Sequence, residues 1–145
     1  MQQVRIVAAG ASSDLMPAAY AVRHQVFVVE QAVSPALERD EFDDLAIHLV
    51  ALRGDDVIGT LRIVVSGRGA KIGRMAVLKA ERKGGVGTQL MERAHQIART
   101  MNVQEITLHA QLTAKEFYAR LGYCETGDVF EEAGIAHVSM HKLIG

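Results

Sequence analysis

The sequence predicts an α+β layered domain, in which a mixed, mainly antiparallel central sheet carries helices on both faces. Three observations predict it. Residues 46–78 are a series of aliphatic and β-branched stretches broken only at Gly54-Asp55-Asp56 and Gly67-Arg68-Gly69, the pattern of an antiparallel meander. A stretch with apolar residues at helical spacing follows (Val86, Leu90, Ala94, Ile97, Ala98, Met101), then another strand-like stretch, as in a β-α-β unit. No linker, repeat or low-complexity tract interrupts the 145 residues, so one domain over 1–145 is expected.

In chain order, residues 4–8 read as an opening strand. Ser12, Ser13 and Asp14 are candidate N-caps for a helix carrying Leu15, Ala18, Ala19, Val22 and Val26. Residues 32–45 lose the apolar period and turn acidic (Glu38, Asp40, Glu41, Asp43, Asp44), which reads as a loop or a short irregular helix. Strands over 46–53, 57–66 and 70–78 precede the long helix. Residues 105–110 form the next strand, and a short helix over 113–121 stops at Gly122. Strands near 123–129 and 137–143 close the order β-α-loop-β-β-β-α-β-α-β-β.

Composition narrows the function classes. With 16 basic and 17 acidic residues the net charge is −1, unlike a general nucleic-acid binder. No apolar run approaches the ~20 residues of a membrane span. Met1-Gln2-Gln3-Val4-Arg5 lacks a signal pattern, and Cys124 is the only cysteine, so a cytoplasmic protein is expected.

The strongest local signal is Arg82-Lys83-Gly84-Gly85-Val86-Gly87, between a strand and a helix. Glycines there let the backbone approach an anion closely, and the first turn of the helix aims unpaired N–H groups and its positive dipole end at the same spot. Two cations add to the field. The arrangement suits a diphosphate but is neither the nucleotide P-loop nor the dinucleotide fingerprint, whose spacings are absent. The alternative is a plain glycine-rich turn with solvated cations.

Arg82-x-x-Gly85-x-Gly87 resembles the Gln/Arg-x-x-Gly-x-Gly/Ala signature of the GCN5-related N-acetyltransferases. Ile72-Gly73-Arg74-Met75-Ala76-Val77 looks like that family's central strand. Phe117-Tyr118-x-x-Leu121-Gly122-Tyr123 is similar to its late helix and turn. The resemblance implies the acyl-CoA N-acyltransferase fold, with acetyl-CoA as cosubstrate and an amine as acceptor. It assigns the CoA pyrophosphate to Arg82, Lys83, Gly84, Gly85, Val86, Gly87 and Thr88. It also implies a thioester carbonyl held at the Val77 amide, and a pantetheine arm in the gap between Met75, Ala76 and Val77 on one strand and residues 106–111 on the next, ending at Gln111. Tyr118 matches the tyrosine that protonates the departing thiolate, with Phe117 packed beside it. Gln111 stands near where many relatives carry an asparagine.

An attacking amine must be neutral, so a base is needed. The candidates are His48 and Glu30; His48 also reads as a strand cap and Glu30 as a solvated helix-end charge. His24, His95 and His141 read as surface residues. On the acceptor side, Arg23, Phe27, Glu38, Asp40 and Asp43 are candidate substrate residues, because an acidic cluster attracts a cationic amine. Alternatively, Arg23 and Arg62 organise these carboxylates into a buried network. This pattern also looks like acyl-homoserine lactone synthases, which share the acetyltransferase core. It is closer to small bacterial acetyltransferases with a Gly-Ile-x-His stretch, here Gly134-Ile135-Ala136-His137, whose Gly134 and His137 are structural or acceptor-side candidates. A lactone-synthase-like acyltransferase and a non-catalytic acyl-CoA sensor are the competing functions. A metal site from His48, His137 and the acidic loop lacks ligand spacing, so none is expected. The closing strands are a candidate homodimer surface.

Overall fold

The computed structural model describes residues 3–145. Seven strands form one sheet in the order β1-β2-β3-β4-β5-β7-β6. The antiparallel meander is β1 (Val4–Ala9), β2 (Ile47–Arg53), β3 (Asp56–Ser66) and β4 (Gly69–Val77). Helix α3 (Val86–Thr100) leads to β5 (Glu105–Gln111), which pairs parallel with β4. A 3₁₀ turn and α4 (Lys115–Arg120) precede β6 (Cys124–Glu132) and β7 (Ile135–Leu143), and β7 inserts between β5 and β6.

Strand β2 shows why helices cover both faces. Successive side chains of a strand point to opposite sides, and five consecutive residues of β2 are buried. Leu49 and Ala51 join the core under α3, with Leu90, Met91 and Ala94. Val50 and Leu52 pack on the other side against Met16 and Ala19 of α1 (Met16–Arg23).

The first helix departs from expectation at both ends. Leu15, rather than Ser12, Ser13 or Asp14, is the N-cap, and Pro17 occupies the first turn, where a missing N–H is harmless. After Arg23 the chain widens into a π-helical segment, His24–Glu30, closed by the Gln31 amide donating to the Val26 carbonyl at 3.1 Å. The acidic stretch contains α2 (Pro35–Glu38) and a 3₁₀ turn, Glu41–Asp44, held by a capping box between Asp40 and Asp43.

Strand β4 carries the feature that makes the site. Arg62 pairs with Gly73 and Thr60 with Ala76, so β4 holds one extra residue there, and Arg74 takes a φ of 53°. The last β4–β5 pair is Ile72 with Leu108, immediately before this bulge. Beyond it, residues 73–77 and 109–111 no longer pair with each other and the strands splay. Arg74 stays fixed because its guanidinium donates to the carbonyls of Leu37 and Glu38 and to Asp40.

Candidate active site

A cavity of about 810 Å³ opens at the splay. Its walls include Ile72 to Val77 of β4, Leu108, His109 and Gln111 of β5, the turn before α3, and Phe117 and Tyr118 of α4. Gly85 caps α3 in the left-handed region, at φ 82°, where a side chain would be strained. Gly87 lies within the first turn of α3, and a Cβ there would stand 3.3 Å from the Phe117 ring. A phosphate can therefore approach the first-turn amides of α3 closely. Arg82, Lys83, Gly85, Val86, Gly87 and Thr88 line the cavity; Gly84 is exposed beside them.

Arg82 is also tied to its surroundings. Its Nε donates to the Val77 carbonyl at 2.9 Å, and its two terminal nitrogens donate to Glu30 at 2.6 and 2.9 Å. The Arg82 hydrogen bonds lower the Glu30 pKa against a smaller opposing effect of burial, and Glu30 lies off the cavity wall. A carboxylate so held is a weak base and is poorly placed for the acceptor.

His48 is corrected as a candidate base. It is fully buried, and its Nε2 donates to the Asp43 carbonyl at 2.9 Å. It props the acidic segment from beneath and does not line the cavity. His95 is also corrected. It is buried in the core, with Nε2 2.8 Å from the Tyr123 hydroxyl. Burial, helped by Lys142 and Arg99, lowers its pKa to about 4. His24 is exposed and His141 half-buried.

Tyr118 faces the cavity from a largely buried position, 5.0 Å from the Phe117 ring in an edge-on arrangement. Its hydroxyl has no hydrogen-bond partner among the described residues. Burial pushes its pKa up to about 12. The phenol therefore stays protonated near neutrality and keeps a proton to give.

The acidic segment resolves into a charge network. Arg23 Nε and Nη2 grip Glu38 at 2.7 and 2.8 Å, and Arg23 Nη1 and Nη2 grip Asp43 at 2.7 and 3.0 Å. Arg62 grips Asp40 at 2.6 and 2.9 Å and reaches Asp43 at 2.9 Å. Arg74 adds a contact to Asp40 at 3.1 Å. Three arginines thus neutralise three carboxylates. Burial works against the charges of Arg23 and Asp43, yet these bonds outweigh it, raising the Arg23 pKa and lowering that of Asp43. Arg23 and Asp43 are each 1% exposed and stand behind the wall, so direct contact with a substrate is ruled out for both. Phe27, Glu38 and Asp40 do line it.

Two groups on the wall are assembled only by the structure, although Gln111 and His137 are candidates singly. Gln31 and Gln111 form a reciprocal amide pair, 2.9 Å at its shorter bond, joining the end of the π-helical segment to the end of β5. Lys71, His109, Glu132 and His137 gather from four different strands. Only the pairing of β5 with β4, and of β7 with both β5 and β6, brings these residues together, and no local spacing encodes it. Among the described residues, no three His, Cys, Asp or Glu converge to hold a metal ion.

A splayed parallel pair, a glycine turn at a helix start and a buried tyrosine over one cavity define a class of CoA-dependent acyl-transfer enzymes. The family profile described as "Acetyltransferase (GNAT) domain" matches residues 10–144, and the chain belongs to that family. It is an acetyltransferase by family, taking an acyl group from a CoA thioester to an amine. The uncharacterized N-acetyltransferase YjcF of Bacillus subtilis is 34% identical over 86% of this chain and 89% of its own. An acyl-CoA N-acyltransferase from Pseudomonas aeruginosa superposes with a TM-score of 0.86, at 31% identity over 97% of this chain and 99% of its own. The CoA-dependent acyl-homoserine lactone synthase BjaI shares the fold, with a TM-score of 0.83 over 99% of this chain and 84% of its own, at 17% identity.

Proposed function

We propose that this protein transfers the acetyl group of acetyl-CoA to an amine of a small molecule or peptide, by direct attack in a ternary complex. The observation that carries it is the single cavity shared by the α3 glycine turn, the end of β4 that has parted from β5, and Tyr118. In this scheme Arg82 to Thr88 hold the pyrophosphate and the β4 backbone at Val77 receives the thioester carbonyl. Met75, Ala76, Gln111 and Phe117 border the pantetheine arm. The amine nitrogen attacks the carbonyl carbon, the C–N bond forms, and the C–S bond breaks. Tyr118 gives its proton to the thiolate and recovers one from the new amide nitrogen.

The same proposal makes the protein cytoplasmic, supported by its lone exposed cysteine and by the lack of a long apolar helix among the described residues. A homodimer through the exposed edge strand β6 is compatible with it.

The test is calorimetric titration with acetyl-CoA, beside a variant with Gly85→Val and Gly87→Val. Micromolar binding by the wild type, lost in a variant that still melts cooperatively, is expected. No binding by the wild type would remove the enzyme assignment. Titration with longer acyl-CoA thioesters separates an acetyl donor from a lactone-synthase-like preference, and turnover with amines separates an enzyme from an acyl-CoA sensor.

A further inference from the structure

We propose that Glu132 and His137 form the acceptor end of this site: Glu132 anchors the ammonium group of a cationic primary amine, and His137 Nε2 takes its proton. The inference rests on the acetyl transfer proposed above and names its missing base and its substrate class.

Charge selects Glu132. Four carboxylates lie on the cavity wall: Glu38, Asp40, Glu81 and Glu132. Arg23 holds Glu38, Arg62 and Arg74 hold Asp40, and Arg53 holds Glu81. Glu132 has no arginine partner among the described residues; its partners are two imidazoles, with the Lys71 ammonium near enough to act on its charge. The acidic segment, neutralised by its own arginines, offers an incoming cation little. Glu132 is the carboxylate still available to one.

Hydrogen bonding selects His137. Its Nδ1 lies 2.7 Å from the Ile135 carbonyl, which can only accept, so Nδ1 carries the proton. The lone pair is then on Nε2, which lies 3.8 Å from Glu132 Oε2. Phe130 stacks on the imidazole and holds the ring plane. On the other side, His109 Nδ1 is 2.9 Å from Glu132 Oε1 and 3.5 Å from Lys71 Nζ. Nδ1 cannot donate to one and accept from the other at once. The shorter contact prevails, and His109 donates to Oε1. Burial opposes the Glu132 charge most strongly of any single effect, but the His109 bond and the nearby charges of His109, His137 and Lys71 together outweigh it and the carboxyl pKa is lowered.

Oε2 and Nε2 are thus two acceptors separated by 3.8 Å. That is too long for a bond between them. An ammonium nitrogen about 2.8 Å from each closes the triangle. The ammonium donates one hydrogen to Glu132 and loses another to His137 Nε2, leaving a neutral amine. The imidazolium formed is stabilised by the carboxylate beside it and returns its proton to water. The charged groups facing His137 are therefore Glu132 from β6, with His109 from β5 and Lys71 from β4 behind it. His109 is a positioning residue, acting through Glu132.

The experiment measures CoA release by the full chain at saturating acetyl-CoA with tyramine, benzylamine and spermidine, from pH 5.5 to 9. At least one amine should be acetylated, with kcat falling on the acid side through one protonation. His137→Gln should lower kcat about 100-fold and remove that acid limb. Glu132→Gln should raise the KM for the amine about tenfold and leave the KM for acetyl-CoA unchanged. His109→Gln should raise the amine KM less and keep the limb. Glu132 is partly exposed, so its variant keeps the test decisive should His137→Gln fail to fold. An unchanged acid limb in folded His137→Gln, or an unchanged amine KM in Glu132→Gln, overturns the proposal. If acetyl-CoA binds but none of the three amines reacts, the proposal fails and the CoA site stands. If acetyl-CoA does not bind, the proposed function fails with it.

Discussion

Asp43→Ala isolates the charge network from the chemistry. Asp43 accepts four hydrogen bonds: from Arg23 Nη1 and Nη2, Arg62 Nη1 and the Asp40 amide, at 2.7, 3.0, 2.9 and 3.1 Å. Its removal leaves the cluster one positive charge in excess and strips Arg23 Nη1 of its acceptor, while Glu38 still holds Nε and Nη2; Arg23 is 1% exposed and cannot turn to water. Breaking a buried ion pair from one side costs about 3–5 kcal/mol, a large share of the roughly 5–15 kcal/mol that holds a domain folded. For a chain of this length the loss converts to a fall in Tm of roughly 10–20 °C. Thermal unfolding followed by circular dichroism at pH 7 measures it. The pH dependence has a definite sign. The Asp43 pKa is depressed in the folded state, so its contribution is present above the unfolded value of about 3.9 and is lost as pH falls through the lower folded value. The gap between wild type and variant should therefore be full at pH 7 and shrink below pH ~4. A Tm within about 3 °C of wild type at pH 7 would refute the view that the network carries structural charge.

Tyr118→Phe should retain acetyl-CoA binding and lower turnover about 100-fold, since the ring contact to Phe117 survives and only the proton is removed. Because burial raises the Tyr118 pKa to about 12, the step that depends on it should show no alkaline loss below pH ~10; steady-state kinetics across pH 7–10 check both statements. His95 stays neutral when folded, with a pKa of about 4, against roughly 6.5 when unfolded. Wild-type stability should be unaffected by this group above pH ~6.5 and decline between there and pH ~4. Urea melts at pH 7.5 and 4.5 should show a smaller decline for His95→Gln, and equal declines would contradict the assignment.

Much of the fold was legible because it is written locally. The meander, the amphipathic α3 and the Gly85-x-Gly87 turn each depend on residues a few positions apart, and period and backbone freedom read them directly. The first helix was legible as a helix, but its π-helical continuation over His24–Glu30 was not. Val26, Phe27, Val28 and Val29 are weak helix formers, but nothing in their spacing encodes the wider hydrogen-bond ring of a π-helix.

The sequence by itself determined the layered α+β class, the glycine turn before α3 and the tyrosine on α4. Each follows from short-range spacing and from an overall resemblance along the chain. The tertiary structure decided what the charged residues do. Arg23, Glu38, Asp43 and Arg62 are scattered over two helical segments, a turn and a strand, and only their mutual approach turns an acidic run into a neutral, buried brace. Likewise, β7 lies between β5 and β6, so His137 pairs with both Gln111 and Phe130, and Glu132 comes within reach of His109. Coulomb and hydrogen-bond energies depend on distances through space. A sequence orders residues along the chain, and strand register sets those distances.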